Sequence, residues 1–493
     1  MSKELTKKEI YERMIEWRNL KKLHQAARDR VVSLEEENRR LKTKITEQED
    51  VITELKMMVT KQSLQIEELQ KKVFGKKKKR EKRKNEERTS SSPRTKDSYQ
   101  RPIPEVVTDT QHHVLNTCTC PSCGGDLETR ASRTYYEEDI SLPGIDNDTP
   151  RTTTTKHIIE CAYCPACKRL IPAMPLPSVR VFLGSKVRVF ISTCAIRLYA
   201  SHENTRTFLR EIFGLSVSTG EIAKILMTEG TILRPEHTRI VEVIRNHYAA
   251  HYDETTWNTT TGGTGNYGWV MKAVGAPEEA YLLGESRGKG VAERLKGDST
   301  HIGITDHYGV YNNLFRHHQL CWSHPHRKFR DLAESGQLPL KEQTHAQCVH
   351  DTFNGLYADL RSVLRTPFEK ERYAKERTRL LRHFDDFARE DPKDFPTLAK
   401  RRTELRRGRD DYFTCLLFPN IPCDNNAAER AIRPAVIKRK ISQGSKTGRG
   451  AKATEVLLTV IRTLANKHPV NFLKELYEIH QKCVALQSGL RRV

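Results

Sequence analysis

No run of about 18 apolar residues occurs anywhere in the chain, and no export leader precedes it; both absences point to a cytoplasmic protein that does not span a membrane. Apolar residues are also scarce overall, at 37% of 493. About the first 100 residues are too polar to hold a globular core, while the remainder is long enough for several domains. What is abundant is positive charge. Lys plus Arg number 85 against 63 acids, a net +22, which favours a polyanionic partner and nucleic acid first. The 12 cysteines are uneven, with six between 118 and 167. In a reducing compartment that clustering argues for metal rather than disulfides.

Residues 8 to 73 contain neither Gly nor Pro and read as nearly continuous helix. A heptad register fits from Val31, with a positions Val31, Asn38, Ile45, Ile52, Val59, Ile66 and Val73 and d positions Leu34, Leu41, Gln48, Leu55, Gln62 and Leu69. β-Branched residues at a with Leu at d favour a parallel two-stranded coil, and one Asn at a fixes its register. Gly75 ends the helix. The block that follows, with Lys76, Lys77, Lys78, Lys79 and Arg80, repels itself when free and can displace counterions from DNA.

Two Cys-x-x-Cys knuckles follow, Cys120/Cys123 and Cys164/Cys167, the pattern of a structural zinc site with four cysteine ligands. Cys161-x-x-Cys164 is an alternative second knuckle. Residues 185 to 247 read as helices. Gly214 ends one of them, and Ser218-Thr-Gly-Glu221 forms a capping box for the next, Ile222 to Glu229. This arrangement suits either a helix-turn-helix reader of DNA, with Lys224 its main contact, or plain helical packing.

Residues 248 to 308 alternate strand-like runs and turns. They read as strand, strand, strand, helix, strand, with Asp253 within the first strand and Asp306 ending the fourth. Glu429 lies in the first turns of a helix predicted over 425 to 440, with Asp424 as its N-cap and Pro434 implying a kink or break. Three converging carboxylates suit two Mg²⁺ ions (or Mn²⁺), since hard cations take oxygen ligands and leave positions open for water and phosphate. Arg433, Lys438, Arg439 and Lys440 follow Glu429 and are candidates for DNA phosphates. Glu254 rivals Asp253, but strand alternation sends the two to opposite faces.

Four motifs occur in order: Asp253-Glu-Thr-x-Trp257; Asp306 with Tyr308 and Tyr311; Cys321-Trp-Ser-His324-x-x-Arg327-Lys-Phe329; and Asp424-Asn-Asn-x-x-Glu429-Arg-x-x-Arg433-Pro434. Together they resemble the transposases of the IS66 family of bacterial insertion sequences, from about residue 100 to the C-terminus. The resemblance implies an α/β RNase H-like core with a catalytic triad of Asp253, Asp306 and Glu429, and the charged, helical pattern of residues 334 to 418 reads as a helical insertion in it. It selects Asp253 over Glu254 and implies the same zinc module. It also implies activity on element ends and target DNA in a bacterial cytoplasm, with accessory proteins often encoded alongside. The chain departs from the family after Phe74-Gly75, where lysines replace the usual Ser-Glu pair.

Cys321 and His324 have no second metal-ligand pair nearby and read as core-supporting, with Arg327 and Lys328 adding a basic face. The Gly444 to Gly450 loop lacks P-loop order, which excludes nucleotide hydrolysis there. The expected organisation is a coiled-coil dimerisation segment (1–74), a basic linker (75–104) and a zinc module (105–180). A helical region (181–247), a catalytic domain (248–450) with an insertion near 334–418, and a C-terminal helical segment (451–493) follow. Rival functions are a nuclease that cuts without joining, and a non-catalytic zinc and zipper DNA-binding protein.

Overall fold

The computed structural model describes residues 100–490 except 143–144, 147–150 and 263–264, together with 14, 17–19, 21–25, 28–45 and 48 nearer the N-terminus. The chain divides into two compact units, Met1–Arg94 and Thr95–Val493. In the first, residues 28–45 are helical, and Val31, Leu34, Leu41 and Ile45 are exposed along it. The heptads beyond Gln48 and the basic block Lys76, Lys77, Lys78, Lys79 and Arg80 lie outside the described residues.

The second unit opens with a five-stranded sheet of β1 (Asp109–His113), β2 (Glu128–Ile140), β3 (Thr152–Cys164), β4 (Arg169–Pro172) and β5 (Val181–Leu183). Its order is β1-β3-β2-β5, with β4 paired to β3. Four helices follow: α1 (Ser185–Ile196), α2 (His202–Phe213), α3 (Thr219–Ile232) and α4 (Arg234–Arg245). Gly214 closes α2 at φ 71°, and the Ser218 hydroxyl accepts the Glu221 N–H to open α3. The apolar side of α3 is spent on packing. Its Gly230 lies where a Cβ would stand 2.6 Å from the Ala453 backbone, so only glycine permits that approach. Lys224, Met227, Thr228 and Thr231 make up the exposed side of the helix.

A second, mixed sheet comes next. Its strands are β6 (Ala249–Thr256), β8 (Tyr267–Ala273), β9 (Glu279–Glu285), β10 (Ile302–Thr305) and β11 (His318–Leu320). A short strand, β7 (Thr259–Thr261), lies outside it, and α5 (Lys289–Lys296) connects β9 to β10. The order is β11-β10-β6-β8-β9. β6, β8 and β9 pair antiparallel, whereas β10 runs parallel to both β6 and β11.

A helical segment is inserted after β11, comprising α6 (Ser323–Ala333), α7 (Leu340–Leu364), α8 (Lys370–Ala388) and α9 (Pro396–Arg407). Trp322 fastens it to the sheet. Its indole is fully buried, stacks on Phe353 and Tyr357 with centroids 5.5 and 5.7 Å away, and donates to the Tyr412 carbonyl at 2.7 Å. Such a residue anchors apolar area while satisfying its one polar atom.

The chain returns through α10 (Asn426–Ser442), β12 (Ser445–Thr447), α11 (Gly448–Lys467) and α12 (Phe472–Leu490). Gly444, at φ 102°, passes so close to the Asn258 carbonyl that a side chain would collide with it, and this lets β12 pair with β7. Thr447 then caps α11, so the glycine-rich loop is a helix connector. Edge strand β9 is covered by α11. Glu455, Thr459 and Thr463, spaced four apart on one helix face, accept the N–H groups of Leu283, Tyr281 and Glu279, spaced two apart on the strand. The edge that would otherwise invite another chain is thereby satisfied.

Two expectations about α10 are corrected. Asn425 rather than Asp424 occupies the N-cap position; Asp424 instead accepts the Asn426 N–H at 3.1 Å. The helix also continues through Pro434 without a break. Among the described residues, no helix is long and apolar enough to cross a membrane.

Candidate active site

The parallel pairing of β6 and β10 sets Ile304 opposite His251. Asp253 and Asp306 each lie two residues further along, Asp253 within β6 and Asp306 just past the end of β10, so the same register carried on sets them level. Burial pushes the Asp253 carboxyl up to about 7, and the neighbouring charges of Glu254, Asp306 and Glu429 add to the rise. Asp306 accepts the Tyr308 N–H at 2.9 Å, which orients it at the strand exit.

Glu429 arrives from α10, whose start is fixed by Asn425. That buried side chain donates to the Tyr252 carbonyl at 2.8 Å and accepts from His251 Nδ1 at 2.9 Å, while its backbone N–H reaches Cys321 Sγ at 3.1 Å. Burial lowers the His251 pKa to about 4, against the opposing pull of this bond to Asn425. Cys321 is fully buried as part of the same joint. Asn425 is the positioning residue that motif reading passed over; its signal was the paired Asn after Asp424, where a solvent-facing cap would need only one.

Glu429 is bound bidentately by Arg327, at 2.5 Å to one oxygen and 3.2 Å to the other. Burial alone would raise its pKa, but Arg327, His324 and Arg433 together pull it below the usual range. His324 Nε2 is 3.8 Å from Glu429, and its buried Nδ1 has no hydrogen-bond partner among the described residues. Burial lowers the pKa of this ring too, while Asp306 acts in the opposite direction. His324 therefore stands among the acids as well as supporting the core. Glu254 is engaged elsewhere, accepting from Tyr311 at 2.7 Å and from Arg287 at 2.8 Å.

The oxygens of Asp253, Asp306 and Glu429 do not all fall within 4.8 Å of one another. Among the described residues that closeness is met by the four cysteines and by His345 with Asp391 and Asp394.

The basic candidates separate. Arg433 is exposed one turn beyond Glu429, whereas Lys438, Arg439 and Lys440 lie about 14 to 17 Å along the helix axis from it. Lys438 is half-buried, and burial lowers its pKa. Lys328 pairs with Glu404 at 3.4 Å.

Cys120, Cys123, Cys164 and Cys167 converge in the first sheet's loops. Cys120 lies 3.8 Å from Cys167 and Cys123 lies 3.5 Å from Cys164. Four thiolates about 2.3 Å from one tetrahedral zinc would be about 3.8 Å apart, so the donor set fits that ion. The backbone N–H groups of Ser122 and Cys123 favour the Cys120 thiolate. Cys161 is not in the cluster; its thiol faces the Ile159 carbonyl.

Two carboxylates on adjacent strands of a mixed sheet, with a third on a helix from beyond an insertion, mark this α/β fold. The sequence matches the family model "Transposase IS66 family" over residues 193–453, more than half the chain, and the protein belongs to that family. It is also similar to two uncharacterized proteins of Sinorhizobium fredii (strain NBRC 101917 / NGR234). With y4jO it shares 28% identity over 225 residues, 45% of this chain and 65% of the relative. With y4qI it shares 27% over 320 residues, 58% of each. The chain thus spans less than two thirds of either curated relative.

Proposed function

We propose that the protein is a DDE-type DNA transposase with an RNase H-like core, in which Asp253, Asp306 and Glu429 bind two Mg²⁺ or Mn²⁺ ions. The carrying observation is the level placement of Asp253 and Asp306 on paired strands, with charge from Glu429 reaching the same spot. The sheet order, with three antiparallel strands followed by two parallel ones, supports the fold assignment. All three donors are hard oxygens, and the repulsion felt at Asp253 is what a divalent cation would relieve. Such ions would lower the pKa of a nucleophilic water or 3′-hydroxyl and stabilise the departing 3′-oxygen.

The chain's own residues supply the frame. Asn425 and His251 hold α10 on β6, and Tyr311 with Arg287 keeps Glu254 from the metal-facing side. Arg327 and Arg433 offer charge to the scissile phosphate. Water attacks phosphorus in line and releases a 3′-hydroxyl at the element end. That hydroxyl then attacks target phosphorus and displaces a second 3′-oxygen, with no covalent protein–DNA intermediate. The four cysteines hold a structural zinc. The exposed Val31, Leu34, Leu41 and Ile45 stripe serves pairing of two chains, with accessory proteins of the same element as further partners.

Labelled end DNA incubated with the full chain and Mg²⁺ tests this reading. Nicked and then joined products are expected. Nicking without joining, even from pre-cut ends, would identify a nuclease, and no product at all would leave a DNA-binding protein.

A further inference from the structure

Most arginines of the inserted helices are committed to nearby acids: Arg379 to Glu376, Arg402 to Asp394, Arg406 to Glu390 and Arg409 to Asp385. Three others converge instead on a cleft of about 700 Å³ between the insertion and the core. Arg361 and Arg365 come from the end of α7 and Arg430 from the second turn of α10, and none has a carboxylate partner among the described residues. Arg361 also lies over the Tyr357 ring. Partly exposed Phe368 and Phe418 line the same cleft, and His251 lies at its base. Asp424 lies on the same wall and accepts the Asn426 N–H.

We propose that this cleft binds a single-stranded stretch of DNA, with phosphates on Arg361, Arg365 and Arg430 and an unstacked base against Phe368 and Phe418. Duplex DNA keeps its bases stacked, so it cannot lay a base on rings that line a cleft. A single strand offers both phosphates and unstacked bases, and every base has a face that stacks on an aromatic ring. The cleft is well placed for this. His251 and Asp253 share one face of β6, about 7 Å apart along the strand, and Arg430 directly follows Glu429. A strand leaving the acids would therefore pass the cleft. The inference rests on DNA being the substrate of those acids.

Anisotropy titrations of the full, zinc-loaded chain without Mg²⁺ test it, using labelled oligothymidine and a labelled duplex of equal length. Two variants are compared: Arg361→Gln with Arg365→Gln and Arg430→Gln, and Phe368→Leu with Phe418→Leu, each checked for native circular dichroism. The arginine variant is expected to weaken single-strand binding about tenfold or more, and to flatten the slope of log affinity against log salt by about 2. Duplex binding should change by less than about twofold. The phenylalanine variant should weaken single-strand binding with the slope unchanged. Unaltered single-strand affinity in either variant, or equal weakening of both DNA forms, overturns the proposal. If the unmodified chain binds neither DNA form, the transposase reading fails with it; normal binding that the variants leave unchanged defeats this inference alone.

Discussion

Arg327 holds both carboxylate oxygens of Glu429, at 2.5 and 3.2 Å, across 102 residues of sequence. The guanidinium thus supplies the positive charge that a divalent ion would supply at the same carboxylate. Charge-assisted hydrogen bonds of this kind are worth about 1.5–3 kcal/mol, so a metal must compete with them. Arg327→Gln is expected to tighten Mn²⁺ binding by the DNA-free chain about tenfold, as read by electron paramagnetic resonance, because the competing cation is gone. Weaker Mn²⁺ binding would instead assign Arg327 a supporting role.

Asp253→Asn, Asp306→Asn and Glu429→Gln should each abolish strand transfer while leaving binding of end DNA within about twofold, since they remove charge from the chemistry and not from the DNA contacts. A variant that still joins ends would remove that acid from the triad.

Zinc content should follow the sulfur geometry. Cys123→Ser and Cys167→Ser are expected to lose the bound zinc measured by native mass spectrometry. Cys161→Ala should keep it, because that thiol faces the Ile159 carbonyl and not the cluster. Zinc loss from Cys161→Ala with retention in Cys167→Ser would reverse the ligand set.

The covered sheet edge gives a stability prediction. Thr459→Val removes the acceptor of the buried Tyr281 N–H and should cost about 1–3 kcal/mol in chemical denaturation, whereas Thr459→Ser should cost much less. Equal stability of all three proteins would mean that water or another group satisfies the strand.

Buried histidines should destabilise the fold in acid, opposed in part by Asp253, whose raised pKa favours the folded state as pH falls. Burial lowers His237, His251, His301 and His307 to about 4 from an ordinary 6.5. Between those values the unfolded chain binds more protons than the folded one, so stability rises with pH across that window. Thermal midpoints of the Asp253→Asn variant, which lacks that opposing carboxyl, should fall steadily from pH 7 to pH 5, and a flat profile there would show these rings protonated in the fold.

Much of the core was legible because its signals are local. Strand alternation, the Ser218 capping box, Gly214 and the Cys-x-x-Cys spacing each act within a few residues. The errors arose where a distant partner overrides local preference. Asn425 takes the N-cap position because its side chain is drawn inward to Tyr252 and His251, more than 170 residues away. Pro434 is kept within α10 although isolated propensity disfavours it there.

By itself the sequence determined the donor types, the spacing of the cysteine knuckles and the periodicity that makes each strand and helix, since these depend on bonded neighbours and side-chain chemistry. Only the tertiary structure decided that Asp253 and Asp306 stand level, that Arg327 occupies Glu429, and which arginines of the insertion remain without acids. Those outcomes depend on strand register and helix rotation, which packing sets across distances that no local pattern encodes.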